Sequence, residues 1–293
     1  MPISHRVILD TDIGSDVDDA LALAQLLGSP TVELSGVTTV YGDTRLRAQL
    51  ASRIAATAGL PVPVYAGRRE TLSGREVWWA GHEGTLHEHL DREPVEERDA
   101  VSYLVDEVIH HPGEVDVVAI GPLTNVAAAI SSEPAFAPAV RHLWIMGGNF
   151  GSDEPEHNVR SDVDAAQLVF SAGIPTTVAG LEVTTQVHID RARLDRIGAA
   201  DDLGRLLLAE VQQWWRFNGT EWNVPHDPVA VLALVEPEHF QFSEPGRVIV
   251  DADGRTRFVA GEGDTRIVLA LDTEVVPDRI VTAILTAGGE GPE

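Results

Sequence analysis

Five aspartates crowd into ten residues, Asp10, Asp12, Asp16, Asp18 and Asp19, between an apolar run and the stretch Ala20-Leu21-Ala22-Leu23-Ala24. Like charges this close repel and raise one another's affinity for protons, so the arrangement is tolerable when something positive sits among them. An all-carboxylate set suits a hard divalent cation, Ca²⁺ or Mg²⁺, better than zinc. A helix N-cap would need one aspartate, and here there are five. Asp227, which precedes Pro228-Val229-Ala230, has two uses open to it: an N-cap, or a ligand facing the same cation. Histidine has the pKa for proton delivery near neutral pH, and His226, beside that acid, is the first candidate. His82, in Gly81-His82-Glu83-Gly84, is the second.

These groups need elements to hold them. Arg6 to Leu9 reads as a short buried strand and Asp18 onward as a helix, so the acids lie on a strand-to-helix turn, with Gly14 allowing a tight fold. In an open α/β sheet that turn lies at the carboxyl edge, where ligands bind. Strands over Val32 to Val40, Val115 to Ile120, Leu143 to Met146 and Pro175 to Ala179 alternate with helices over Thr44 to Ala58, Leu123 to Ile130, Asp162 to Ser171 and Leu203 to Phe217. The alternation predicts an α/β fold: a single-domain, open, mostly parallel, doubly wound (Rossmann-like) sheet over residues 1–293. From Phe240 to Asp272 the pattern turns to short strands with a hairpin turn at Asp253-Gly254. This reads as a small β-rich C-terminal addition on the main sheet, before a last helix over Val276 to Thr286 and a short tail, Gly288 to Glu293.

Composition narrows the chemistry. The formal charge is −25, and all 21 basic residues are arginine. With no lysine, Schiff-base chemistry, a P-loop lysine and a lysine base are excluded. With no cysteine, disulfides, thiolate metal sites and a cysteine nucleophile are excluded as well. Strong acidity argues against nucleic acid and against anionic membranes. No apolar stretch is long enough for a spanning helix, and the N-terminus enters strand at once, leaving no room for a signal peptide, so the expected location is cytoplasmic.

The motifs resemble those of the inosine–uridine nucleoside hydrolase family, whose signature is a strand followed by D-x-D-P-G-x-D-D-A. Here it stands as Asp10-Thr11-Asp12-Ile13-Gly14-Ser15-Asp16-Val17-Asp18-Asp19-Ala20, with isoleucine for proline and two extra residues before the Asp-Asp pair. Thr38-Thr39-Val40-Tyr41-Gly42-Asp43 is similar to T-T-V-x-G-N, with aspartate for asparagine. Gly121-Pro122-Leu123-Thr124-Asn125 matches G-P-L-T-N; Met146-Gly147-Gly148 with Glu156-His157-Asn158 resembles M-G-G…E-F-N; His226-Asp227-Pro228 matches H-D-P. The order is the family's throughout. Gly81-His82-Glu83-Gly84 departs from the more usual H-G-x-x-G.

The resemblance implies hydrolysis of the N-glycosidic bond of ribonucleosides, a small-molecule nucleoside substrate, and homodimers or homotetramers. It implies Ca²⁺ held by Asp12, Asp19, the Ile120 carbonyl and Asp227, with Asp12 as the base that deprotonates water and His226 as the acid on the base side. Asn158, Glu156 and either Asp18 or Asp16 are implied as ribose binders, and Met146 as packing beneath the sugar. Asp43, standing for asparagine, would exchange a donor for an acceptor. Aromatic faces for the nucleobase could come from Trp78-Trp79 or from the segment Trp214 to Trp222, of which Trp222 is the chosen candidate; helix packing is the plainer use of these tryptophans. His157 could also face the pocket.

Other families fit less well. A haloacid-dehalogenase-like phosphatase shares strand-then-D-x-D, but its phosphate-holding lysine has no counterpart here. An EF-hand loop would place its last glutamate at Leu21. The alternatives that survive are a ribosyl hydrolase of a non-standard nucleoside-like substrate and a non-catalytic nucleoside-binding protein.

Overall fold

Strand β1 (His5–Thr11) delivers the acidic turn and separates two cores: Val7 and Leu9 pack on one face of the sheet, Ile8 on the other. The computed structural model describes residues 4–289, so positions 290–293 of the expected tail lie outside the described residues. After β1 come α1 (Asp18–Leu27), β2 (Val32–Thr39), α2 (Thr44–Thr57), β3 (Val64–Ala66), α3 (Ala100–His110), β4 (Val115–Ala119), α4 (Thr124–Ser132) and α5 (Phe136–Ala139). Then follow β5 (His142–Met146), α6 (His157–Ser161), α7 (Val163–Phe170), β6 (Thr176–Ala179), α8 (Leu181–Thr184), α9 (Arg191–Ala200), α10 (Asp202–Asn218) and α11 (His226–Val235). The chain closes with β7 (Phe240–Phe242), β8 (Gly246–Val250), β9 (Thr256–Ala260), β10 (Thr265–Leu271) and α12 (Val276–Ala287).

All the strands join one sheet in the order β3-β2-β1-β4-β5-β6-β10-β8-β9, with β7 on β10. β1 to β6 and β10 pair in parallel, while β7, β8 and β9 are antiparallel to their neighbours. From β1 the chain winds one way to β2 and β3, then the other way from β4 to β6. The reversal opens a crevice at the carboxyl ends of β1 and β4, where Asp12 and Ile120 emerge.

α1 is built from strong helix formers and is buried nearly all round because it packs against both α11 and α12. Gly28 lets it end there: a Cβ would lie 1.8 Å from the Ala283 carbonyl oxygen of α12. The β-rich addition extends the main sheet, since β10 pairs with β6 through Thr265 and Thr176. Its Asp253-Gly254 turn packs on α6, where a Cβ on Gly254 would come within 2.8 Å of Arg160 Cα. Residues 67–99, which lack periodicity, run as a long irregular segment with one short 3₁₀ turn at Leu90–Arg92. Among the described residues no helix is long and apolar enough to cross a membrane.

Candidate active site

The acidic turn is folded by its own backbone and by one buried cation. Thr11 Oγ1 donates to Asp19 and accepts from Ile13 N (3.1 Å), while Asp16 accepts from Val17 N. Asp18 and Asp19 occupy the first turn of α1, and Asp227 the first turn of α11. Oxygens of these three buried carboxylates lie within 4.8 Å of one another. Asp227 is not a cap: Pro225 holds that position, and the Asp227 backbone N–H points at Asp18 Oδ2 (3.4 Å). Two helix N-termini thus converge on the cluster and offset part of its repulsion.

Burial, then mutual repulsion, pushes the pKa values of Asp18, Asp19 and Asp227 well above the ordinary carboxylate range. Burial raises Asp16 and Asp10 to about 7. The nearby cation, Arg47, is fully buried and bonds no carboxylate: Nε is on Tyr41 O (2.7 Å), Nη1 on Asp12 O and on Ile13 O (2.8 Å), and Nη2 on Ser15 Oγ (3.2 Å). No carboxylate of the turn, nor Asp227, forms a salt bridge to a basic side chain among the described residues. Buried, uncompensated, all-oxygen and converging, the set fits a hard divalent cation. The grouping differs from the expected one in a single respect: Asp18 completes the tightest trio, while Asp12 Oδ1 turns toward Gly121, 2.8 Å from where a Cβ would stand.

The cluster floors a cavity of about 460 Å³. Asp12, Asp16, Asp18, Asp19, Ile120, Met146, Glu156, Asn158, His226 and Asp227 all reach its wall, so most of the residues singled out in the sequence meet in one place. The Ile120 carbonyl accepts from Asn158 Nδ2 (2.7 Å), which also reaches Met146 O (3.3 Å). Glu156 caps α6, its two oxygens taken by the backbone N–H groups of Gly148, Asn158 and Val159. Burial raises its pKa. His226 sits at the start of α11 with Nδ1 on Thr184 Oγ1 (2.7 Å), and burial lowers its pKa to about 4.

Three candidates fall outside the cavity wall. Asp43 caps α2 through Leu46 N (3.3 Å), and the Trp79 ring packs on the adjoining Gly42. His82 lies behind the wall, its Nε2 on Ser15 O (2.9 Å) and its ring edge-on to Phe217. Trp222 is 48% exposed and edge-on to His188, because Gly219 ends α10 in a left-handed turn and Asn223 then pairs with Ile189. The aromatic wall comes instead from Trp78, Trp214 and His157. Arg47 and Arg160 had no motif to single them out, and Ser15 and Glu83 stood inside quoted motifs without a role; a helix-borne arginine such as Arg47 resembles any surface residue until the fold buries it.

The family model described as inosine-uridine preferring nucleoside hydrolase matches residues 7–278. A probable uridine nucleosidase 1 of Oryza sativa subsp. japonica is 34% identical over 272 residues, covering 85% of this chain and 82% of that protein. The pyrimidine-specific ribonucleoside hydrolase RihB of Shigella flexneri is 27% identical, covering 92% of this chain and 94% of its own. Among solved structures, the plant nucleoside hydrolase PpNRh1 superposes with a TM-score of 0.86 at 28% identity, over 96% of this chain and 99% of that one. A purine-preferring ribonucleoside hydrolase from Gardnerella vaginalis gives 0.84 at 25% identity, over 97% and 99%.

Proposed function

The chain belongs to the inosine-uridine preferring nucleoside hydrolase family and is an N-ribohydrolase, and we propose that it uses Ca²⁺ and this carboxylate floor to hydrolyse ribonucleosides to free base and ribose. The observation that carries the reading is the buried, uncompensated cluster of Asp12, Asp18, Asp19 and Asp227 at the base of a nucleoside-sized cavity. Those four side chains and the Ile120 carbonyl would hold the ion. Ca²⁺ supplies the charge that keeps them ionised and makes a neighbouring water more acidic.

The chain's own groups divide the remaining work. Departure of the base leaves positive charge on the ribose, which the carboxylates at C1′ stabilise. Asp12, on the cavity wall beside the Asp18, Asp19 and Asp227 trio, takes the proton of the attacking water. Asp18 and the Oδ1 of Asn158 receive ribose hydroxyls; Asn158 Nδ2 is already committed to backbone carbonyls, which fixes the amide's orientation. Met146 packs beneath the sugar. Because burial holds His226 near 4, its ring is neutral at neutral pH. Nδ1 pairs with the Thr184 hydroxyl; in the tautomer in which that hydroxyl donates, Nε2 carries the hydrogen and gives a hydrogen bond to the departing base.

The test is a panel of purine and pyrimidine ribosides assayed for released ribose, before and after exhaustive chelation and again with Ca²⁺ restored. Both base classes belong in the panel, since similar proteins are named for uridine, pyrimidine and purine substrates. Ribose release that stops with chelator and returns with Ca²⁺ is expected. Full activity without divalent ion would overturn the metal's role, and binding without ribose release would leave a nucleoside-binding protein. Homo-oligomeric assembly is checked by light scattering, and the cytoplasmic location by fractionation of the native host.

A further inference from the structure

The turn exceeds the family signature at one place: Ser15, Asp16 and Val17 stand between Gly14 and Asp18 where the pattern has a single residue. The segment Gly81-His82-Glu83-Gly84 also departs from the family order. In the fold the two departures touch. Ser15 Oγ donates to Glu83 Oε1 (2.8 Å) and accepts from Arg47 Nη2 (3.2 Å), so one hydroxyl joins a buried carboxylate to a buried guanidinium. Glu83 also draws in its own segment, accepting from Ala80 N (2.7 Å) and Gly81 N (2.7 Å), and His82 Nε2 holds the Ser15 carbonyl.

We propose that Glu83, Ser15 and Arg47 form a positioning relay that locks the aromatic segment of residues 78–84 onto the acidic turn, so that the ion-binding carboxylates and the Trp78 wall are set as one piece. The proposal rests on the reading that the turn holds a divalent cation. Arg47 grips the turn from below through two of its carbonyls and is covered by the Trp79 ring at 4.8 Å. Trp79 is the neighbour of Trp78, whose backbone N–H donates to Tyr41 Oη (2.7 Å) while Arg47 holds the Tyr41 carbonyl. Tyr41 has a φ of +70°, a left-handed conformation that a bulky residue keeps only when its surroundings impose it. Here the guanidinium and the segment impose it together. The hydroxyl is the partner of Arg47 Nη2 and one of the two donors on Glu83 Oε1, so removing it leaves a buried guanidinium nitrogen unpaired and the buried carboxylate one hydrogen bond short.

Ca²⁺ affinity by calorimetry on the whole chain, with KM and kcat for uridine and inosine, provides the test on wild type, Ser15→Ala, Glu83→Gln and the double variant. Each single change should weaken Ca²⁺ binding about tenfold and raise KM, as loss of groups that orient ligands does. The double variant should be little worse than either single, since both break one linkage. Ser15→Ala with wild-type Ca²⁺ affinity and KM overturns the relay, even if its melting temperature falls. Losses that multiply in the double variant overturn it too, because they would mean two independent supports. A wild type that binds no Ca²⁺ defeats the metal reading, and the relay then stands or falls on whether Ser15→Ala raises KM.

Discussion

Buried aspartates occur at both ends of the same central strands, and their fates differ. At the amino end Asp116 of β4 has a side chain only 2% exposed, yet His5 Nδ1 lies 3.0 Å away and Arg141 Nη1 3.5 Å away. At the carboxyl end Asp12, Asp18, Asp19 and Asp227 are buried too, and the nearby guanidinium of Arg47 is bonded to carbonyls and the Ser15 hydroxyl. A buried carboxylate alone is therefore no sign of a site. A buried carboxylate whose charge the chain leaves unanswered is one, because its cost is met only when something else binds.

The sharpest break between the two ends is catalytic. Asp12→Asn should lower kcat about 1,000-fold or more, since it removes both an ion ligand and the proposed base. Retention of a tenth of wild-type kcat would move the base to Asp16 or Asp18. Next in size is His226→Ala, expected to slow inosine and uridine by roughly 100-fold, as loss of the hydrogen bond that stabilises the departing base does. A p-nitrophenyl riboside, whose leaving group departs as a stable anion, should suffer far less. Equal losses on both would mean that Asp227 had been disturbed, and a selective loss in His82→Ala alone would pass the role to that loop.

A third comparison uses pH. Without divalent ion the folded protein holds Asp18, Asp19 and Asp227 well above the ordinary 3.8 and Asp16 at about 7, so it binds protons that the unfolded chain has released. That stability is full below about pH 4 and falls as pH rises, the share of Asp16 being lost through about 7. His226 acts oppositely, its contribution disappearing as pH falls from 6.5 toward 4, so a window from pH 6.5 to 8 isolates the carboxylates. The melting temperature in chelator should fall across that window, and saturating Ca²⁺ should flatten the fall and add about 5 °C or more at pH 8. The same slope with and without Ca²⁺ would sink the idea. The smallest effect belongs to the amino end: Asp116→Asn should cost about 1–3 kcal/mol in denaturant unfolding with kcat unchanged. A large drop in kcat there would erase the contrast.

Much of this was legible in the chain. The βα alternation announced a parallel sheet, and Asp10 to Asp19, Gly121 to Asn125, Glu156 to Asn158 and His226-Asp227 announced most of the cavity wall, because each motif sits at the end of a strand or the start of a helix where local sequence dictates the geometry. Trp78 and Trp214 line the cavity and Trp222 does not, because their placement depends on how residues 67–99 and the end of α10 come together across more than a hundred residues. Asp43 lies outside the cavity wall as the cap of α2, a local role that its motif position does not distinguish from a substrate contact.

By itself the sequence determined the main alternating strands and helices, the lysine-free and cysteine-free chemistry, and the concentration of carboxylate at one strand-to-helix turn, since these depend on residue type and short spacing; β3, α3, α8 and α9 were not read from it. Tertiary structure alone decided that β10 would join β6, that Asp227 would meet Asp18 and Asp19 from the far side of the chain, and that Arg47 would be buried beneath the turn with its donors on carbonyls. Such pairings arise from packing between segments distant in sequence. Whether a charge is answered or left open depends on which groups that packing brings within a few ångströms, and no local pattern records it.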